Sequence, residues 1–220
     1  MSDTIYRPYE PHDTEGVLAI ILDAFHVRRY APRPYLERSA AEVVLSDCLL
    51  ASTYTRVAVD DVGRVLGVIM GRVEDEPHLP ARPLAHARKL SAMAWLATAG
   101  LPQWHTLKQA YGFERRYAEL RSDVLSTGAA ALTDEITLFA THAAARGRGV
   151  GTHLYDGFME HLRDHSRTDF FLYTDSLCNY QFYERRGMMR AATRDLELDV
   201  EGLPRRVGVY LYAGAVPGRH

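Results

Sequence analysis

The sequence predicts a mixed α/β domain, a central sheet flanked by helices, with a helical insertion between the third and fourth strands. Three observations carry this expectation. Residues 1–75 read β-α-α-β-β from their apolar spacing. Residues 133–214 read β-α-β-α-β-β, and residues 76–132 between them show only helical periodicity.

The elements follow in order. Thr4 to Tyr9 reads as a short strand ended by Pro11. Asp13 is placed to cap a helix whose Val17, Ile20, Ile21 and Phe25 recur at helical spacing. Arg28 to Tyr35 reads as a loop rich in Arg, Tyr and Pro, and Arg38 to Leu50 as a second helix. Thr55–Val59 and Val65–Val73 are β-rich runs around Asp60-Asp61-Val62-Gly63, which is hairpin chemistry. In the insertion, Pro77, Pro80 and Pro83 precede two helical stretches, Ala85–Ala97 and Gln103–Leu125, the second with an expected kink at Gly112. Beyond it come a strand (Glu135–Ala140), a helix (Gly151–Asp164), a strand (Phe170–Thr174), a short helix (Asn179–Arg186) and two closing strands (Ala192–Leu198, Arg206–Tyr212).

Composition narrows the function. The 220 residues are 47% hydrophobic and 25% charged, an ordinary globular balance that excludes disorder and fibrous repeats. The longest apolar run, Gly16 to Leu22, is too short to span a bilayer. A net charge of -2 argues against a general nucleic-acid binder, although only Lys89 and Lys108 of the 26 basic residues are lysines. Cys48 and Cys178 cannot build a disulfide framework, and Met1 to Arg7 lacks a signal-like pattern. The expectation is a cytoplasmic chain without nucleic-acid or membrane partners.

The most informative stretch runs from Ile136 to Thr152. An apolar strand enters the turn Arg146-Gly147-Arg148-Gly149-Val150-Gly151, which opens a helix. Glycines permit a tight turn and a close ligand approach. The first amides of a helix lack intrahelical partners, so they form an anion seat, to which Arg146 and Arg148 add charge. The string lacks the lysine of a nucleotide P-loop, and Thr152 and Leu154 stand where a dinucleotide fingerprint needs its third glycine. What fits is R-x-x-G-x-G, filled by Arg146, Gly149 and Gly151. Downstream, Asn179, Phe182, Tyr183, Gly187 and Met188 form N-x-x-F-Y-x-x-x-G-M.

Together these two segments resemble the central motifs of the GNAT superfamily of N-acetyltransferases. The resemblance covers about residues 3–75 and 133–214 and leaves the insertion outside. Two departures stand out: Ala143 occupies a position that is often proline, and Asn179 sits closer to the Phe-Tyr pair than in many members.

The resemblance implies a mostly antiparallel sheet and transfer of an acetyl group from acetyl-CoA to a primary amine, with no metal. It implies that amides from Gly147 through Arg148, Gly149, Val150 and Gly151 to Thr152, with the Arg146 and Arg148 side chains, hold the phosphates. It further implies that the fourth and fifth strands part, so that pantetheine pairs with the main chain of Phe139, Ala140 and Thr141, and that Asn179 assists. Tyr183 is then the candidate general acid and Glu135 the candidate base, with His142 and His26 as alternatives. The acceptor end would be shaped by His26, Arg28, Arg29, Tyr30, Arg33 and Tyr35.

Other features read as structural. His161 and His165 stand four apart on a helix, but no third ligand is visible in the sequence, so a solvated face is expected. Cys178 reads as packing. The aromatic residues of the insertion, Trp95, Trp104, Tyr111, Phe113 and Tyr117, fit a lid, a dimer interface or a small core of its own. A small-molecule amine is the expected acceptor. A protein lysine or N-terminus, and a non-catalytic acyl-CoA-binding module, are the competing readings, and a homodimer is compatible with each.

Overall fold

A computed structural model describes residues 4–31, 33–80, 82–128, 132–145 and 147–218, without the Tyr111 side chain. The strands are β1 (Ile5–Arg7), β2 (Tyr54–Val59), β3 (Val65–Arg72), β4 (Glu135–Thr141), β5 (Asp169–Asp175), β6 (Met189–Glu197) and β7 (Arg206–Ala215). The helices are α1 (Thr14–Ala24), α2 (Val27–Tyr30), α3 (Pro34–Ala51), α4 (Arg82–Ala99), α5 (Trp104–Thr127), α6 (Val150–Asp164) and α7 (Gln181–Glu184). The strands form one sheet in the order β1-β2-β3-β4-β5-β7-β6, antiparallel except between β4 and β5.

Alternation along the strands sorts side chains between two helical layers. On one face, Val57, Val68, Met70, Leu138 and Ala140 meet Val17, Ile20 and Ile21 of α1 and Leu45 and Leu49 of α3. The layer continues over β5 and β7, where Leu120 and Val124 of α5 pack on Phe171, Val207, Val209 and Leu211. On the other face, Leu154, Phe158 and Leu162 of α6 cover Ile69, Phe170 and Leu172. The inward face of α5 therefore belongs to the core of the sheet, and Trp95 and Trp104 stay exposed.

Three local expectations need correction. Asp13 does not cap α1 with its side chain. Instead it is 2% exposed and takes both guanidinium nitrogens of Arg7 at 2.7 Å, plus the Glu10 amide at 2.8 Å. The stretch 28–35 contains the end of α2 and the start of α3, because Val27 and Tyr30 are buried and hold that segment to the core. At Gly112, α5 runs on unbroken; a Cβ there would lie 2.7 Å from Leu196 Cδ1, so the glycine serves close approach to β6.

The Arg7–Asp13 pair carries a stability prediction. Burial raises the Asp13 carboxyl, but the hydrogen bonds from Arg7 and Glu10 outweigh it, and the net shift is downward. Its contribution is present above the ordinary carboxylate pKa of ~3.9 and is lost as pH falls through the lower folded value. Asp13→Ala should cost about 2–3 kcal/mol in urea unfolding at neutral pH, with the gap to wild type closing in acid.

Strand β4 carries a bulge that aims the site. Met70 faces Leu138 and Gly71 faces Ile136, which leaves Thr137 as the extra residue. The bulge resets the alternation, so Ile136 joins the α6 side while Leu138 and Ala140 join the α1/α3 side.

Candidate active site

The anion seat is built by backbone. After β4, a short 3₁₀ turn (Ala143–Ala145) leads to Gly147 and Gly149, at φ 73° and 75°. A Cβ at either position would have nothing within 4 Å, so their need for glycine is conformational. Gly149 caps α6, and its carbonyl receives the His153 amide at 3.0 Å. The amides of Val150, Gly151 and Thr152 form the first turn and have no helical acceptor. At Gly151 a Cβ would meet Phe139 and Thr141 at 3.5 Å, ordinary contact. Arg148 is exposed beside this turn, and Arg146 lies outside the described residues.

A second arginine, which the sequence reading missed, stands at the same helix end. Arg186 donates to Thr152 Oγ1 at 3.0 Å and lies 3.6 Å over the Phe182 ring. Its one sequence signal was its place directly before Gly187.

The parallel pairing of β4 with β5 covers only Glu135–Phe171 and Ile136–Leu172. Phe139, Ala140 and Thr141 pair with Ile69, Val68 and Gly67 of β3 and have no register partner on β5. The Phe139 ring lies 5.2 Å from Phe182 and 6.4 Å from Tyr183, which itself stacks 6.0 Å from Tyr212. Glycine turn, open helix end and parted strands fit the phosphates and pantetheine of a coenzyme A thioester.

Tyr183 is 8% exposed. Burial first, then the neighbouring Cys178, pushes its hydroxyl well above the ordinary phenol value, so it keeps its proton. Burial and Asp175 likewise push the Cys178 thiol up, consistent with a structural thiol rather than a nucleophile. Asn179 is exposed, and its carbonyl receives the Phe182 amide at 3.2 Å at the start of α7.

Glu135 sits on the opposite face, at the head of β4. Its Oε2 lies 2.8 Å from Arg72 Nη2, yet burial outweighs the arginine and the carboxyl is raised. Glu114 of α5 is also raised, first by burial and then by Asp47 of α3, and its charge reaches Glu135. Asp175, which the sequence reading overlooked, is 9% exposed at the end of β5 and accepts the Leu177 and Cys178 amides at 2.7 and 3.1 Å. Burial raises its carboxyl, and His26 opposes that shift. Burial first, then the Asp175 charge, raises the hydroxyls of Tyr30 and Tyr117, and the buried Tyr30 hydroxyl has no partner among the described residues.

The remaining candidates separate. His26 occupies the left-handed region at φ 54°, a strained backbone, and lies near Asp175. His142 uses Nδ1 to receive the Ala144 amide at 3.1 Å, so it shapes the turn. Arg28 is engaged with Asp23 and Glu37, on the surface. A hollow of about 550 Å³, lined in part by Gln109, Glu197 and Arg206, lies at the β6–β7 edge, away from this chemistry.

A sheet parted beside a glycine-capped helix defines a class of acyl-CoA-dependent transferases. The chain belongs to the Acetyltransferase (GNAT) family, whose model it matches over residues 19–188. Over 140 residues it is 30% identical to the tRNA(Met) cytidine acetyltransferase TmcA of Haloarcula marismortui; the match covers 60% of this chain but only 18% of that protein. In fold it is similar to a putative GNAT acetyltransferase of Desulfovibrio desulfuricans (TM-score 0.54, 14% identity, 98% of this chain and 100% of that one). It is also similar to an agmatine N-acetyltransferase (TM-score 0.56, 16% identity, 97% and 99% covered). Among the described residues, no helix is long and apolar enough to cross a membrane.

Proposed function

We propose that the chain transfers the acetyl group of acetyl-CoA to the primary amine of a small cationic molecule. The observation that supports it is the set of carboxylates on the α1/α3/α5 side of the parted strands. Glu114 and Asp175 are raised by burial, and neither is in an ion pair among the described residues. Unpaired carboxylates in a low-dielectric setting favour a cation and disfavour a polyanion such as RNA. Helix α5 supplies Glu114 and Tyr117 and covers this face, which suits a small acceptor better than a protein chain.

Bound acetyl-CoA supplies an activated thioester. The α6 amides and Arg186 hold its phosphates, and the main chain of Phe139 to Thr141 orients its arm. Glu135 takes the proton of the incoming ammonium, while Tyr183 Oη holds the proton destined for the departing thiolate. The raised Glu135 carboxyl is the better matched to a base role, because its affinity for a proton is above that of a solvated carboxylate.

Free CoA release, measured over an amine panel, tests the reading. Small diamines and guanidino-amines should give the highest kcat/KM. Equal turnover of lysine peptides would favour a protein acceptor, and no turnover of any amine would favour a binding module. For the best substrate, kcat/KM should rise with pH through an acidic limb above the ordinary glutamate value of ~4.3. Glu135→Gln should remove that limb and lower kcat by about 10²–10⁴-fold. An unchanged profile would remove Glu135 from the mechanism.

A further inference from the structure

The helix face expected to be solvated is so only in part: His165 is exposed, but His161 is partly covered. His161 and His165 of α6 converge on Glu76, from the segment that follows β3. Glu76 Oε1 lies 2.9 Å from His161 Nε2 and 2.8 Å from His165 Nε2, and one ligand atom from each residue falls within 4.8 Å of the others. The sequence could show the two histidines but not the carboxylate, which the packing of α6 on β2 and β3 brings to them.

Two further observations point to a ligand. His161 Nε2 is buried and makes no hydrogen bond among the described residues, although Glu76 Oε1 lies 2.9 Å away. His165 Nδ1 stands 2.8 Å from the His161 carbonyl, an acceptor, and this contact turns the ring so that Nε2 faces Glu76. Two imidazole nitrogens and a carboxylate oxygen thus converge on one point, the donor atoms a divalent ion takes.

The supporting contacts are those that orient metal ligands. The hydroxyl of Thr53 donates to Glu76 Oε2 at 2.8 Å, fixing the carboxylate, and the Tyr54 ring lies 4.5 Å from His161. A histidine N–H on a carbonyl and a hydrogen-bonded carboxylate are the usual outer partners of a bound ion. Two nitrogens and one oxygen suit a borderline ion of the zinc class rather than calcium or magnesium.

We propose that Glu76, His161 and His165 bind one divalent ion of the zinc class, with solvent completing the coordination. The ion would clamp the start of the insertion to the C-terminal half of α6. That half is two or more helical turns from the phosphate seat, so the role is structural.

The test is calorimetric titration of the untagged full chain with Zn²⁺ alone. A 1:1 isotherm at micromolar Kd is expected, and so is a visible d–d band on loading with Co²⁺. Glu76→Gln, which retains the Thr53 contact, and His165→Ala, at a half-exposed site, should each weaken binding by at least about tenfold. Acetyl-CoA affinity should stay as in wild type, which separates this site from the transferase reading. Absence of saturable binding in wild type, or equal binding by both variants, would overturn the proposal, the latter marking adventitious surface histidines.

Discussion

Tyr183→Phe lowers kcat by about 10²–10⁴-fold and leaves the acetyl-CoA dissociation constant nearly unchanged. The expectation rests on what the substitution removes. The ring keeps its contacts with Phe139, Phe182 and Tyr212, so the packing at the parted strands survives. Only the hydroxyl is lost. Because burial raises its pKa, that hydroxyl is fully protonated across the working range, as an acid must be before transfer. Stopped-flow turnover set beside calorimetric binding checks the split. Equal turnover by the two proteins would assign Tyr183 to packing alone.

Gly149→Glu abolishes acetyl-CoA binding at concentrations that saturate the wild type. Two independent effects act in the same direction. The backbone at φ 75° disfavours any side chain, at a cost of about 1–2 kcal/mol. The new carboxylate also stands at the α6 N-terminus, where it competes with phosphate for the unpaired amides and repels it. Gly149→Ala separates them. It should bind more weakly than wild type but measurably, since no atom lies near its Cβ. Undiminished binding by the glutamate variant would place the phosphates elsewhere.

What could be read in the sequence followed its range. Hairpin, strands and the glycine turn are local, and residues a few positions apart decide them. The loop 28–35 concealed α2 because a four-residue helix held by Val27 and Tyr30 has too few positions to show a period. Asp13 was a sound N-cap by type, but a guanidinium from β1 reaches it first. Asp175, Tyr30 and the α5 pair Glu114 and Tyr117 share no motif; they come from three separate stretches of the chain, and only the fold brings them together. Glu76 escaped for the same reason. A residue type at a useful spacing is visible along a chain, whereas a third partner from another strand is not.

The parting of β4 from β5 also has a mechanical meaning. A four-stranded ribbon (β1–β4) and a three-stranded one (β5, β7, β6) are joined edge to edge, among the described residues, by two residue pairs, at the head of β4 and the middle of β5. The rest of that seam behaves as an internal sheet edge, with main-chain groups that the sheet itself does not pair. A molecule lying along the seam works as a splint between the ribbons. If acyl-CoA binds there as proposed, it raises the free energy of unfolding by RT ln(1 + [L]/Kd), and the stability of this sheet then depends on the supply of acyl-CoA as well as on its own side chains.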